Sequence, residues 1–241
     1  MFKHTISIPQ INYTYFCGII YHSMAYKAII AGATGLIGSK LLGILLNEPA
    51  YDEVLIFVRK DTGLQHKKLV QVIIDFDRLA DYAEMITGHA IFCCLGSTKK
   101  KTPDLKDYRK IDHDYPLQLA QLGLQNGVKQ YHLVSALGAD AASSNFYNKM
   151  KGETERDIKQ LSLPCLHIYQ PSLLTGDREE YRLAERIVTP IVKLLNPLLF
   201  GGWKKYRSIE GETVAMAMFK QSITNEDGLF VHPSDNIKQI A

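Results

Sequence analysis

Tyr147 and Lys151 stand four residues apart at the opening of a helical pattern, a spacing that sets both on one helix face. That pairing can move a proton. A phenol with an ordinary pKa of about 10 is a poor proton shuttle near neutrality, and an ammonium beside it favours the phenolate. A tyrosine tuned in this way gives a proton to a carbonyl oxygen as hydride arrives, or takes one from an alcohol. In a chain with 13 tyrosines, chance alone supplies about one such spacing, so the information lies in where it falls. It falls just beyond an apolar run, 130–135, whose last residue, Ser135, carries a hydroxyl suited to orienting a carbonyl oxygen.

The elements that must position this pair begin far upstream. Residues 28–31 are a short apolar run of the length and composition of a buried parallel strand. The run breaks into Gly32, Gly35 and Gly38, and a helical pattern follows with Ile37, Leu41, Leu42, Leu45 and Leu46 on one side. Strand, glycine turn and helix in that order are the phosphate-binding unit of a dinucleotide fold. The glycines allow a tight turn and a close backbone approach, and the helix N-terminus offers free N–H groups and a partial positive charge. A glycine triplet alone would be ordinary loop punctuation; its context raises it above that.

A second strand at 53–58 ends in Arg59-Lys60-Asp61. An acidic residue at this point would hold a ribose 2′-hydroxyl, whereas Arg59 and Lys60 suit the 2′-phosphate of NADP. The plainer reading is a solvated charge pair, with Asp61 close by. A third strand at 69–74 leads into Asp75, a candidate cofactor contact, and Phe76. A fourth at 89–95 ends in Leu95-Gly96 beside the expected crevice and is followed by three lysines, 99–101, read as a solvated loop. One long helix is expected over 105–126, stopped by Gly127. Strands at 130–135 and 165–169, a helix at 211–221 and a strand at 228–232 complete a doubly wound parallel sheet of α/β class, a Rossmann fold.

Residues 24–241 form the expected NAD(P)-binding domain, with no linker marking a second one; residues 1–23 read as a non-native or poorly ordered extension ahead of Met24. The apolar stretch 181–203, interrupted by Pro190 and Pro197, could cover a substrate pocket or make a subunit contact. A net charge of +3 without a basic stripe argues against nucleic acid, and no run reaches the ~20 apolar residues of a membrane span. The four cysteines match no zinc spacing and suit a reduced, intracellular protein, expected to be cytoplasmic.

Assembled, the chain resembles an atypical short-chain dehydrogenase/reductase, and within that group the Tat-interacting-protein oxidoreductase family of tumour suppressors. The resemblance runs from about Lys27 to the C-terminus. It is carried by GATGLIG at 32–38, VRK at 58–60, IIDFDRLADY at 73–82, IFCCLGSTK at 91–99, HLVSALGAD at 132–140, SSNFYNKMKGE at 143–153 and YQPSLLTGDRE at 169–179. It implies NADP(H) binding by Thr34, Gly35, Leu36, Ile37, Arg59, Lys60, Leu95, Gly96, Tyr147, Lys151 and Arg178, and reduction of a small carbonyl substrate. Two departures stand out. Relatives carry Arg-Pro-Gly where this chain has Gln170-Pro171-Ser172, and the positions after Ser135 that often bear the active hydroxyl are Ala136 and Leu137, leaving Ser143 and Ser144 as alternatives. An NADPH-sensing regulatory protein, acting on a protein partner or as a homodimer, is the second reading. A nucleotide-sugar epimerase is the third, disfavoured because little chain follows Gly176 for a substrate domain.

Overall fold

A strand buried on both faces needs apolar side chains at successive positions, and β1 (Tyr26–Ala31) supplies them. Ile29 and Ala31 point into one core layer, Ala28 and Ile30 into the other. In the computed structural model, which describes residues 26–175 and 207–241, β1 is an interior strand, beside the central one, of a seven-stranded, wholly parallel sheet. The sheet order is β3-β2-β1-β4-β5-β6-β9. The remaining members are β2 (Tyr51–Val58), β3 (Leu69–Ile73), β4 (Ala90–Cys93), β5 (Gln130–Val134), β6 (Cys165–Gln170) and β9 (Gly228–Pro233). A separate two-residue ladder joins β7 (Leu174–Thr175) to β8 (Ile209–Glu210).

Helices cover both faces. On one side α1 (Leu36–Asn47) packs against α5 (Gly211–Ser222), with α6 (Ser234–Ile240) beyond it. On the other lie a 3-10 helix (Phe76–Met85), α3 (Tyr115–Gln125) and α4 (Phe146–Lys159). From β1 the chain winds to β3 on one side and then returns to start β4 on the other. This reversal opens a crevice outside the carboxyl ends of β1 and β4, where such folds bind ligands.

The helix expected without a break over 105–126 is divided. α2 (Leu105–Arg109) passes into one π turn, Lys110–Asp114, before α3. Pro116 explains the break: it has no N–H to give the carbonyl four residues back, which is that of Asp112. The Tyr115 N–H reaches back five residues to the Lys110 carbonyl, the π pattern, and the released Asp112 carbonyl accepts the Thr154 hydroxyl of α4 at 2.9 Å. The segments 1–23 and 181–203 discussed above lie outside the described residues.

Candidate functional site

The glycine turn closes the amino side of the crevice. Gly32 has φ +88°, and a Cβ built there would sit 2.6 Å from the Cys94 carbonyl oxygen, so the β1 turn and the end of β4 touch backbone to backbone. A Cβ on Gly38 would collide with the Gly32 carbonyl, so α1 begins directly against the turn. No side chain caps α1 and no acid lies in its first turn. The Gly35 N–H is spent on the Gly32 carbonyl at 3.0 Å, and the next amides, of Leu36 and Ile37, keep the anion-binding character of a helix start. Thr34 is exposed at the tip of the turn.

At the end of β2, Arg59 and Lys60 are exposed and make no ion pair among the described residues. Asp61 is occupied within its own loop. It accepts the Gly63 N–H at 2.9 Å and the Gln71 amide at 2.5 Å, and these bonds hold its carboxyl below the usual carboxylate range. Asp75 lies exposed at the end of β3 and caps the 3-10 helix by accepting the Asp77 N–H at 3.0 Å.

Across the crevice, α4 opens behind Asn145, whose side chain accepts the Tyr147 and Asn148 N–H groups. Tyr147 is 41% exposed, whereas Lys151, one turn on, is 5% exposed. The Lys151 ammonium lies 2.9 Å from Asp112 Oδ1 and close to Gly96, where a Cβ would stand 3.7 Å from Nζ. Asp112 is 1% exposed, and its Oδ2 accepts the Ser97 N–H at 2.8 Å. Burial alone would lower the pKa of Lys151; the Asp112 carboxylate, with Tyr147, outweighs it and holds the ammonium above the ordinary lysine value. Tyr108 completes the cluster. Its hydroxyl donates to the Ser97 carbonyl at 3.2 Å, its ring meets Phe146 edge-on, and burial followed by Asp112 raises its phenol. The structure thus brings Gly96, Tyr147 and Lys151 to one crevice wall with Leu95, whose backbone nitrogen lies under the Gly32 turn.

Ser135 is placed differently. It is buried, and its hydroxyl donates to Glu155 Oε1 rather than to any group of the Tyr147 cluster. Glu155 also accepts the Gln170 amide on both oxygens, at 2.9 and 3.1 Å, and pairs with Lys159 at 3.1 Å. At the first departure from the family pattern, Gln170 thus hydrogen-bonds the same buried carboxylate that pairs with Lys159. Ser172 donates to the Arg207 carbonyl and bonds Ser234 at 2.9 Å. Arg178 lies outside the described residues. Sequence reasoning missed Asp112 and its partner Ser97. The legible signal was Pro116, which frees the Asp112 carbonyl and turns that stretch out of register.

Fold and site together define an NAD(P)-binding α/β domain of the short-chain dehydrogenase/reductase kind. The profile of a family described as NAD(P)H-binding matches residues 32–189, and the chain belongs to that family. Rat protein HTATIP2 is 30% identical over 206 residues, covering 84% of this chain and 83% of that protein, which bears out the resemblance to the Tat-interacting-protein group. The Emericella nidulans protein named fmp52, mitochondrial, is 31% identical over 207 residues, covering 82% and 88%. Among solved structures, a UDP-N-acetylglucosamine 4-epimerase from Methanobrevibacter ruminantium M1 superposes with a TM-score of 0.66 at 15% identity, over 87% of this chain and 76% of that one, a likeness of fold alone.

The fungal name corrects the cytoplasmic expectation, since matched relatives are named mitochondrial. That expectation rested on cysteine usage. The three described cysteines are indeed unpaired, but free thiols mark a reducing environment without telling one such compartment from another. Among the described residues, no helix is long and apolar enough to cross a membrane.

Proposed function

We propose that the chain is an NADP(H)-dependent oxidoreductase that reduces a small carbonyl substrate. One observation carries this reading: a half-exposed phenol, Tyr147, stands one helical turn from a buried, charged lysine at the wall where the glycine turn and the end of β4 meet. The residues fit the dinucleotide. Gly32 and Gly38 let the turn, the end of β4 and the start of α1 pack backbone against backbone, and no side chain caps α1. Arg59 and Lys60 are available to a 2′-phosphate, while Asp61 is engaged in its own loop.

NADPH, when bound, supplies the hydride. Tyr147 gives its proton to the carbonyl oxygen, Lys151 holds the nicotinamide ribose and stabilises the phenolate left behind, and the start of α1 binds the pyrophosphate. Ser135, bonded to Glu155, stays outside the chemistry in this reading. The test is NADPH oxidation over a panel of aldehydes and ketones. Tyr147→Phe should lower turnover by about 100-fold or more while leaving NADPH affinity within about twofold. Equal turnover in that variant would remove Tyr147 from the mechanism.

The second reading, an NADPH-binding regulator without turnover, is favoured by a specific feature. The Ser135 hydroxyl is held by Glu155, and Ala136 follows it, so the end of β5 presents no hydroxyl to the Tyr147 cluster. Tight NADPH binding with no oxidation across the whole panel would select this reading.

A further inference from the structure

The lysines at 99–101 are exposed, as a solvated charge run should be, yet the loop that carries them is closed on itself. The Lys101 and Thr102 N–H groups both donate to the Thr98 carbonyl at 2.9 Å, and the Ser97 and Thr102 hydroxyls meet at 2.6 Å. The root of the loop is tied to the candidate site: the Ser97 N–H donates to Asp112, and the Ser97 carbonyl accepts the Tyr108 hydroxyl. From this base Lys99 reaches across to α4 and lays its ammonium over the Phe146 ring, 4.6 Å from the centroid. Phe146 is the residue before Tyr147.

An aromatic face holds an ammonium in place without neutralising it. Among the described residues, no carboxylate stands within ion-pair distance of Lys99 or Lys100. The acid of the loop, Asp104, turns its Oδ1 to the Lys106 and Asp107 N–H groups at the start of α2. Asp140, between β5 and α4, accepts the Ala142 N–H. The other cations of the cluster are already matched, Lys151 with Asp112 and Arg109 with Asp114 and Glu153. A cation fixed beside the proton donor and left without a counter-ion suits a ligand that brings the opposite charge. We propose that Lys99 sets substrate specificity: the carbonyl compound carries an anionic group, carboxylate or phosphate, that the Lys99 ammonium binds at the rim of the crevice while Tyr147 faces the carbonyl oxygen.

This inference rests on the proposed reductase reading, but its test does not need turnover. Each anionic aldehyde is paired with a neutral counterpart: 4-carboxybenzaldehyde with its methyl ester, and glyceraldehyde 3-phosphate with glyceraldehyde. Calorimetric titration into the NADP⁺-loaded chain, which has no hydride to give, measures binding; NADPH oxidation measures turnover. At least one anionic aldehyde should bind about tenfold or more tighter than its counterpart, and the margin should shrink as salt is raised. Which pair shows it tells carboxylate from phosphate. Lys99→Met, which keeps an unbranched side chain over Phe146, should lose the margin while the neutral aldehyde and NADP⁺ bind within about twofold of the parent. Lys99→Arg should keep most of the margin, and so should Lys100→Met. No margin in either pair for the parent chain, a margin that survives Lys99→Met, an equal loss in Lys100→Met, or NADP⁺ affinity that falls with Lys99→Met would overturn the proposal. Failure of the reductase reading would show separately, as the binding margin intact with no NADPH oxidised.

Discussion

Glu155 is buried with three partners from three elements: Ser135 at the end of β5, Gln170 at the end of β6 and Lys159 on its own helix. A carboxylate held this way fastens the elements whose ends form the crevice. Removing one neutral donor should therefore cost stability and leave the chemistry alone. Ser135→Ala is expected to lower the unfolding free energy by about 1 kcal/mol, since Glu155 keeps its other bonds. Urea unfolding measures that loss, and NADPH oxidation should remain at the parent rate. Lost turnover at unchanged stability would return Ser135 to the reaction. Tyr147 and Lys151 were legible as residues because helical spacing alone puts them on one face. The Asp112 partner was not, because its contact depends on where a long-range packing partner, α4, crosses the π turn.

Among elements, the strands β5, β6 and β9 carry an unusual aromatic ladder. His132 stacks on His167 at 4.7 Å, and His167 lies between it and His232, with Phe92 and Phe230 flanking. The hydrogen bonds assign the protons. His232 donates from Nδ1 to Asn236, and His167 donates from Nδ1 to His232 Nε2, so His167 Nε2 is a bare, buried lone pair without a partner. Burial, then the neighbouring His232, brings His167 down to about 4 from 6.5, and burial lowers His132 and His232 as well. The sign follows from linkage. Above pH 6.5 the folded and unfolded imidazoles are both neutral and stability is whole; below it the unfolded chain takes protons that the ladder refuses. Thermal unfolding should therefore show stability falling as pH drops from 6.5 toward 4, with His167 contributing at most about 3 kcal/mol. His167→Phe should flatten that dependence, and an equally steep fall in the variant would clear His167 of the effect.

Elements with a strong local signal were readable in advance: the apolar runs of β1 and β4, the periodic face of α1, the glycine turn between them. The two-residue β7–β8 ladder and the helix α6 gave no such signal, since their pairing and docking come from distant chain. The 105–126 helix was read as continuous because its apolar period runs through the break, and only the missing N–H of Pro116 interrupts the backbone.

At the scale of the molecule, the parallel order with its reversal between β1 and β4 brings the glycine turn and the Tyr147–Lys151 pair to one crevice. In the proposed function, Arg59 and Lys151 would stand at the two ends of the dinucleotide, and the shared crevice is the reason for reading them as parts of one function. Composition told little about where the protein works, and the mitochondrial names of its fungal relatives corrected what the cysteines suggested. The choice of cofactor is the claim on which the rest depends. Calorimetric titration of the parent chain and of Arg59→Ala with NADPH and with NADH tests it directly. The parent is expected to prefer NADPH, and Arg59→Ala to lose about tenfold or more in NADPH affinity, the worth of a charge-assisted contact, while NADH binding is unchanged. Equal affinity for the two dinucleotides in the parent chain, or an NADPH affinity indifferent to Arg59, would contradict it.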